Sequence, residues 1–350
     1  MKLDELLETT IKRNGSDLHL VAGAQPVIRV NGKLIKLEED KLFAEDTEAF
    51  AREILEEDFQ TLDELGEMDT SYSIPGLGRF RMNIFKQRGS ISFAIRVVGL
   101  KIPSISSLGL PGIIKELAME KRGMVLVTGP AGSGKSTTLA AMINEINENK
   151  ASHIITLEDP IEYLHKHDKS IIEQREIGKD SRNYKNALKA VLREDPDVIL
   201  IGELRDMDTI SIALTAAETG HLVLSSLNTI GAAKTINRLV DIFPPHQQQQ
   251  LRIQLGAVLN GIISQQLVAT ADNQERVCAL EIMKTTSAIQ NMIREGKTYQ
   301  IESSIQTGSK YGMKTMDMSL AELYKKKVIT QEDALNSATD REMLLRLISL

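Results

Sequence analysis

Residues 129 to 137, GPAGSGKST, combine glycines, a lysine and hydroxyl side chains at a spacing that suits phosphate binding. The pattern G-x-x-x-x-G-K-[S/T] is matched by Gly129, Gly134, Lys135 and Ser136. In such a loop, backbone N–H groups surround the phosphates, the lysine reaches the β and γ oxygens, and the hydroxyl ligates Mg²⁺. We therefore predict that the phosphates of a nucleotide are bound by Gly129, Pro130, Ala131, Gly132, Ser133, Gly134, Lys135, Ser136 and Thr137.

The segments on either side of this loop fit the same interpretation. Residues 124–128 form a short apolar run that predicts a buried strand, and residues 136–144 have apolar positions near helical spacing. A strand, a glycine loop and a helix N-terminus in this order direct several N–H donors and a helix dipole at one anion. The alternative is a structural glycine turn before a helix, which this context makes the weaker interpretation.

An acidic residue ends a second apolar run. The segment DVILIGE, residues 197–203, predicts a buried strand with Glu203 at its carboxyl end. In phosphate-loop enzymes, a carboxylate at this edge of the sheet holds Mg²⁺ or its water shell. The predicted Mg²⁺ site therefore consists of Ser136 and Glu203. An aspartate usually comes first at this position, and the pair Gly202-Glu203 is a variant of that pattern.

Three more carboxylates follow the strand-like run in ITLEDPIE, residues 155–162. They are Glu158, Asp159 and Glu162. Pro160 is expected to end the strand and let the carboxylates turn toward the phosphates, where one of them would polarise the attacking water. The alternative is a set of solvated loop charges, which is less favoured where such a cluster ends a strand beside a phosphate loop.

Composition limits the class of protein. The 350 residues suffice for two or three domains, and the formal net charge of −6 argues against a chain that mainly coats nucleic acid, so we expect no nucleic-acid partner. Cys278 is the one cysteine, which excludes an internal disulfide and a cysteine-rich zinc site. No run approaches the roughly 18 apolar residues of a membrane helix. We expect a cytoplasmic protein that meets membranes only through partners.

The elements that must position these residues fall into two parts. The first hundred residues alternate helical and strand patterns and are expected to form a small α+β domain, with a linker over residues 99–112. From residue 124, short apolar runs alternate with helical segments, which predicts an α/β fold with a parallel sheet and helices on its faces. A helical part is expected from about residue 245, including HQQQQLRIQLGAVLNGIISQQL.

The chain resembles the bacterial type II/IV secretion ATPases, and within them the type IV pilus retraction ATPases. The resemblance is carried by the phosphate loop, ITLEDPIEYLHKH, LREDPDVILIGELRDMDTISIALTAAETGHLVLSSLNT, GSDLHLVAGAQPVIRVNGKL and YGMKTMDMSLAELYKKKVIT, and so covers essentially the full length. It implies a PAS-like N-terminal domain over residues 1–98, a linker over 99–112, and a RecA-like ATPase domain over 113–350 that is helical from about 285. It also implies a homohexamer that hydrolyses ATP with Mg²⁺ to drive pilus retraction.

Site roles follow from the resemblance, residue by residue. Lys135 and Ser136 would grip the phosphates and Mg²⁺, and Glu203 would be the Walker B carboxylate. Glu162 is the preferred general base, and Glu158 is the second choice.

Three further candidates depend on the resemblance more than on the residues themselves. Arg81 and Arg96 match N-terminal strands whose arginines reach the γ-phosphate in closed subunits, and a guanidinium suits a phosphoryl group whose charge is spread over three oxygens. The alternative is that both are surface arginines paired with acidic residues. His221 begins GHLVLSSLNT, the His box of the family, and is a candidate catalytic residue; the alternative is a core imidazole bonded to the backbone.

The resemblance also implies partners and a location. The expected partners are further copies of the chain in a ring, an inner-membrane pilus platform protein and paralogous pilus ATPases. The expected location is the cytoplasm, at the inner membrane through partner proteins.

Two positions depart from the family pattern. Asn228 stands where a second histidine is expected, and Gln290 stands where an arginine is expected. Asparagine keeps a donor and an acceptor but cannot be charged, and glutamine loses a fixed cation. We still expect an active ATPase, with nucleotide sensing and force coupling in doubt. The open alternatives are a nucleotide-binding regulatory subunit of a mixed motor and an extension ATPase, for which a longer N-terminus and a four-cysteine zinc motif would be expected.

Overall fold

The computed structural model describes residues 2–30, 32–98 and 102–349. Its Cα packing divides the chain into two compact units, the first comprising Met1–Lys101 with Glu162–Leu164 and the second Ile102–Ile161 with His165–Leu350. Part of the predicted linker, residues 99–101, lies outside the described residues.

The first unit is an antiparallel sheet with three helices. Its elements are α1 (Leu3–Lys12), β1 (Asp17–Val21), β2 (Val27–Val30), β3 (Lys33–Lys36), α2 (Ala44–Leu55), α3 (Phe59–Leu65), β4 (Glu67–Ile74), β5 (Gly78–Gln87) and β6 (Ser90–Val97). The strand order is β3-β2-β1-β6-β5-β4, and every neighbouring pair is antiparallel. Along β5, Phe80, Met82 and Ile84 are buried and alternate with more exposed residues, so one face of the sheet packs on the core.

The acidic segment that follows β3 forms two helices rather than one continuous helix. α2 ends at Leu55, and Glu56 has a φ of 46°. A residue in this left-handed region cannot continue an α-helix, so the chain makes a short 3₁₀ turn before α3 begins. The strand β3 cannot be predicted from the sequence, because its residues KLIK form no apolar run. All four residues are exposed in the structure.

The second unit has the predicted α/β class, with helices around a seven-stranded sheet. Its elements are α4 (Gly112–Ala118), β7 (Gly123–Thr128), α5 (Lys135–Asn149), β8 (His153–Glu158), β9 (Ile171–Glu176), α6 (Tyr184–Val191), β10 (Val198–Ile201), α7 (Met207–Glu218), β11 (Leu222–Leu227), α8 (Ala232–Asp241), α9 (Pro245–Val258), β12 (Leu259–Ala269), β13 (Arg276–Lys284), α10 (Ser287–Arg294), α11 (Ile301–Gln306), α12 (Met316–Lys325), α13 (Gln331–Ser337) and α14 (Arg341–Ser349). The strand order is β13-β12-β7-β11-β10-β8-β9. β13 is antiparallel to β12, and all other neighbours are parallel.

Helices cover both faces of the middle of this sheet. β7 and β11 are buried at every residue. Met124 and Leu126 of β7 belong to one apolar core with α7, whereas Val125 and Val127 belong to a second core with α5. A parallel strand buried on both faces reads as a continuous apolar run, which is why these strands can be predicted from the sequence.

The segment expected to be helical from about residue 245 changes structure part-way. α9 ends at Val258 and β12 begins at Leu259, so the prediction of a helix through LNGIISQQL is wrong. β12 pairs with β7 and β13, and this tertiary pairing overrides the local helical pattern. Gly261 permits the close packing, because a Cβ there would lie 2.8 Å from the carbonyl oxygen of Met283. Helices α10 to α14 follow from Ser287 onward.

The single cysteine, Cys278, lies on β13. Burial raises the pKa of its thiol to about 12, so it acts there as a small apolar side chain.

Among the described helices, none is both long enough and apolar enough to cross a bilayer.

Candidate nucleotide-binding site

The glycine loop joins β7 to α5 at the carboxyl edge of the parallel strands. Gly129 has a φ of +148°, and a Cβ there would lie 2.2 Å from the carbonyl oxygen of Gln265 and 2.5 Å from Ser133 Oγ. Gly134 has a φ of +86° and is the N-cap of α5. Both positions need glycine, the first for close packing and the second for its left-handed φ. The backbone therefore shapes a cradle toward which the N–H groups of the first turn of α5 are directed.

Gln265 of β12 supports this loop from behind and is almost completely buried. Its Nε2 donates to the carbonyl oxygen of Ser133 at 2.6 Å, and its Oε1 accepts from Thr138 Oγ1 at 3.0 Å. One amide thus ties the loop to the first turns of α5. The sequence analysis missed Gln265; two polar glutamines at the end of the apolar run GIISQQL were the available signal.

Lys135, the first residue of α5, has its ammonium held above the loop. Nζ donates to the carbonyl oxygens of Gly129 and Pro130, both at 3.0 Å, and to Asn228 Oδ1 at 2.8 Å. A cation surrounded by oxygen acceptors beside a helix N-terminus is suited to exchange some of these contacts for phosphate oxygens.

The predicted Walker B carboxylate reaches the same place. Glu203 follows β10, and its Oε1 accepts from Asn228 Nδ2 at 2.7 Å while its Oε2 accepts from Arg205 Nε at 2.8 Å. Asn228 follows β11, so its carboxamide contacts both the lysine and the carboxylate. The structure therefore brings Lys135, Glu203 and Asn228 together from three separate elements.

A second carboxylate ends the neighbouring strand. Glu158 is the last residue of β8, which pairs in parallel with β10. Its Oε1 accepts from Thr156 Oγ1 at 2.7 Å and from Gln174 Nε2 at 3.2 Å. Glu158 and Glu203 thus project from the ends of adjacent strands at one edge of the sheet.

Tyr184, at the start of α6, packs against these strand ends. A Cβ at residue 202 would lie 2.8 Å from Tyr184 Oη, so Gly202 leaves room for the phenol. Burial, reinforced by the negative charge of Asp159, raises the pKa of Tyr184 well above its usual range. The phenol stays protonated and is a donor at this edge. The sequence analysis missed Tyr184, although glycine in place of the usual aspartate at 202 was a signal.

The donors at this site fit Mg²⁺ that arrives with a nucleotide. The hydroxyl of Ser136 and the carboxylate of Glu203 offer the oxygen ligands that Mg²⁺ prefers. Within the described residues there is no group of three or more His, Cys, Asp or Glu side chains that would hold a metal ion by itself. A magnesium ion bound through phosphates needs only one or two protein ligands.

A cavity of about 490 Å³ opens beside the loop. Its lining includes Ser107, Gly134, Thr137, Leu267 and Cys278. The volume lies within the usual range for a ligand pocket, and the cavity joins the phosphate loop to the strands β12 and β13.

His221 lies at the other edge of the sheet from the loop. It immediately precedes β11, whose first residue pairs with the first residue of β7, whereas the glycine loop follows the last residue of β7. The imidazole Nδ1 lies 2.9 Å from the carbonyl oxygen of Ala216. This backbone contact is the one that the alternative interpretation expects, although the ring is half-buried rather than in the core. Within its own unit, His221 lies at the opposite strand ends from Glu158 and Glu203.

The remaining candidates belong to the first unit. Arg81 on β5 and Arg96 on β6 are cross-strand partners, and both are exposed. Arg96 Nε donates to Asp17 Oδ1 at 3.0 Å, so one of them has the acidic partner that the alternative interpretation required. Glu162 is exposed, and its Cα packing assigns it to the first unit.

Comparison with known proteins adds an independent line of information. The sequence model of the family described as type II/IV secretion system protein matches residues 106–344. The type IV pilus retraction ATPase PilT of Pseudomonas aeruginosa is 44% identical over 339 residues, which cover 97% of this chain and 98% of that protein. A twitching motility protein of Neisseria gonorrhoeae is 43% identical over 340 residues, which cover 97% of this chain and 91% of that protein.

A solved structure is similar along the same length. A crystal structure described as the pilus retraction motor PilT with bound ADP superposes with a TM-score of 0.91 and 47% identity, covering 99% of both chains.

Proposed function

The chain belongs to the type II/IV secretion system protein family, and from this premise we propose that it is an ATP-hydrolysing motor that drives the retraction of type IV pili. Relatives that match nearly its whole length are named for pilus retraction and twitching motility. The observation that carries the proposal is the meeting of the phosphate loop with the carboxylates of two neighbouring strands at one edge of the sheet. That edge supplies the groups that we assign to the binding of ATP and Mg²⁺.

Binding begins with the glycine loop and its lysine. The N–H groups at the start of α5 would donate hydrogen bonds to the phosphate oxygens, and Lys135 would exchange contacts with loop carbonyl oxygens for contacts with the β and γ oxygens. Ser136 and Glu203 would hold Mg²⁺. When bound, the ion supplies positive charge that neutralises the phosphate oxygens during transfer. Gln265 keeps the loop in position because it bonds both the loop and α5.

A carboxylate must orient the attacking water and accept its proton. Glu162 is our first assignment for this base, and its exposed side chain leaves it accessible to water. Glu158 is the second, supported by its place beside Glu203 at the strand ends. Hydrogen bonds from Thr156 and Gln174 both reach Glu158 Oε1 and hold its side chain in place at the strand end. We therefore assign Glu158 a role in orienting the site rather than in taking the proton.

Charge on the leaving phosphates would be met by the first unit. We assign Arg81 and Arg96 as the arginines that reach the γ-phosphate in a closed subunit, since a planar guanidinium matches the oxygens of a transferring phosphoryl group. Opening and closing of the two units around ATP would then supply the motion of the motor.

The working form would be a ring of six copies in the cytoplasm, held at the inner membrane by a pilus platform protein. Release of phosphate in one subunit would change the position of its first unit against the next, and the ring would pass this motion to the platform. Paralogous pilus ATPases are further candidate partners.

A second candidate is a nucleotide-binding regulatory subunit of a mixed motor. It is favoured by Asn228 and Gln290, where histidine and arginine are expected. The two candidates differ in one measurement, because a regulatory subunit would need a paralogue for turnover whereas the motor would hydrolyse ATP alone.

The proposal is tested by deleting the coding sequence from its own host and restoring it in variants. The unchanged chain is expected to restore twitching motility, and Lys135→Ala is expected to abolish it because the γ-phosphate loses its cation. Lys12→Ala serves as a control, since Lys12 is an exposed lysine paired with Glu8 on α1. Motility restored by Lys135→Ala at equal protein levels would contradict the proposal.

A further inference from the structure

Four side chains form a continuous chain of hydrogen bonds across the nucleotide site. Lys135 Nζ donates to Asn228 Oδ1 at 2.8 Å, Asn228 Nδ2 donates to Glu203 Oε1 at 2.7 Å, and Arg205 Nε donates to Glu203 Oε2 at 2.8 Å. The carboxamide of Asn228, here called the amide bridge, is the one neutral group among them. It lies between the cation that reaches the phosphates and the carboxylate assigned to Mg²⁺.

The orientation of the amide bridge is determined by its neighbours. An ammonium can only donate hydrogen bonds, and an ionised carboxylate can only accept them. The carboxamide oxygen must therefore face Lys135 and the nitrogen must face Glu203. A rotated amide would lose both contacts and place donor against donor, so no alternative assignment of these atoms is satisfactory.

The backbone fixes the position of the bridge as well. Asn228 and Glu203 follow the adjacent parallel strands β11 and β10. Two hydrogen bonds join the end of β11 to the residues on either side of Glu203, from Ser226 Oγ to the Gly202 carbonyl oxygen at 2.6 Å and from Leu204 N to the Ser226 carbonyl oxygen at 3.2 Å. The backbone that carries Glu203 is thus tied to β11 two residues before Asn228.

We propose that Asn228 is a positioning residue for nucleotide binding, which keeps Lys135 and Glu203 close to each other but prevents their direct ion pair. The inference rests on the proposed ATP-binding function. Lysine and glutamate of opposite charge would otherwise approach and neutralise one another, and each would then have to be separated before it could meet phosphate or Mg²⁺. The amide bridge gives Lys135 and one oxygen of Glu203 a neutral partner, which phosphate and metal can replace, while the other oxygen of Glu203 stays paired with Arg205.

This role requires one acceptor and one donor on a small planar group, rather than asparagine itself. A neutral imidazole also offers one acceptor nitrogen and one N–H. Asn228→His should therefore keep the bridge. Asn228→Ala removes it, and Asn228→Leu removes it while keeping most of the side-chain volume. On this reasoning the departure at 228 conserves the chemistry of the expected histidine.

The experiment measures ADP binding by titration calorimetry on the purified full-length chain, once with Mg²⁺ and once with EDTA. We expect Asn228→Ala and Asn228→Leu to weaken Mg²⁺-ADP binding by about tenfold or more, as for one lost hydrogen bond to a charged group. Asn228→His should bind nearly as well as the unchanged chain. Asn144→Ala is the matched control, because Asn144 Nδ2 donates to a glutamate carboxylate, Glu148 Oε1, on the surface of α5 at 2.8 Å.

The same variants are followed by ATP turnover and by thermal unfolding without nucleotide. A positioning role predicts a larger KM for ATP with an unchanged unfolding temperature for Asn228→Leu, and recovery of KM in Asn228→His. Unchanged ADP binding in both Asn228→Ala and Asn228→Leu would overturn the inference, as would Asn228→His binding as weakly as Asn228→Leu. Absence of ADP binding by the unchanged chain would instead overturn the proposed function, and this inference with it.

Discussion

At the scale of single residues, the proposed mechanism gives nucleotide binding and proton transfer to different residues. Lys135 donates to loop carbonyl oxygens and to Asn228. Glu203 accepts from Asn228 with one oxygen and is paired with Arg205 through the other. The candidate bases differ in surroundings, because Glu158 is hydrogen-bonded at a strand end whereas Glu162 is exposed. This difference predicts that glutamine substitutions of the acidic residues will have distinct effects.

Glu162→Gln is expected to bind ATP with nearly unchanged affinity and to hydrolyse it at least 10²-fold more slowly, the usual effect of removing a general base. In Glu203→Gln, ATP binding is expected to depend less on Mg²⁺, because a carboxylate ligand of the ion becomes a neutral amide. Binding is measured by calorimetry and turnover by phosphate release. Glu332→Gln, on an exposed residue at the start of α13, is the control.

Normal hydrolysis by Glu162→Gln together with slow hydrolysis by Glu158→Gln would reverse our assignment of the base. An equal decrease in the rate of hydrolysis in Glu162→Gln and Glu158→Gln would indicate that the two carboxylates act together.

Some site residues can be recognised from neighbouring residues in the sequence, whereas others depend on contacts with distant parts of the chain. Lys135 and Ser136 are recognisable because the phosphate loop is contiguous in the chain. Gln265 contributes through contacts with residues more than a hundred positions away, and its polar side chain in a strand has many possible explanations. The partners of Asn228 likewise depend on the pairing of β10 with β11, which no local pattern specifies.

At the scale of elements, the phosphate loop depends on β12 behind it. Gly129 is the point of closest approach, because a Cβ there would lie 2.2 Å from a backbone oxygen of β12 that cannot move alone. A side chain at this position must displace the loop or the strand.

Gly129→Ala is therefore expected to lower ADP affinity by at least about tenfold and to reduce the unfolding temperature by several degrees, the effect of a strained and overpacked site. Gly178→Ala is the matched control, because Gly178 also has a positive φ, +91°, and nothing lies within 4 Å of an added Cβ. ADP affinity is measured by calorimetry and unfolding by circular dichroism. If both variants bind ADP equally well, the close packing against β12 is not needed for the site.

Element prediction failed where tertiary pairing opposed the local pattern. The buried strands β7, β10 and β11 are predicted because each is a short apolar run. β12 is not, because its sequence continues a pattern compatible with the preceding helix α9 and only its pairing with β7 and β13 makes it a strand. The exposed strand β3 gives no apolar signal at all.

At the scale of the whole molecule, the proposed motor requires both units in one catalytic cycle. The second unit contains the phosphate loop, Glu203 and Asn228, whereas Arg81 and Arg96 lie on the sheet of the first unit. The fold class of the second unit is predictable because alternating strands and helices permit few arrangements. No local sequence pattern marks Arg81 or Arg96 as phosphate contacts, because both are exposed residues on paired antiparallel strands.

Arg81→Ala and Arg96→Ala are expected to lower ATP turnover by roughly 10³ to 10⁵ if either arginine reaches the transferring phosphate. Asp17→Asn is the matched control, since it weakens the surface contact of Arg96 with Asp17 but keeps the guanidinium. Turnover is measured with saturating ATP, and native mass is measured in parallel to detect loss of the ring. Unchanged turnover in both arginine variants would show that Arg81 and Arg96 are surface arginines without a part in catalysis.

The central claim, that this chain by itself is an ATP-driven motor subunit, is tested most directly by phosphate release from the purified protein. The account predicts steady, Mg²⁺-dependent release by the unchanged chain without any paralogue, and release at background level by Lys135→Ala with an unchanged circular dichroism spectrum. A folded, ADP-binding protein that releases no phosphate until a paralogous ATPase is added would contradict the account and identify the chain as a regulatory subunit.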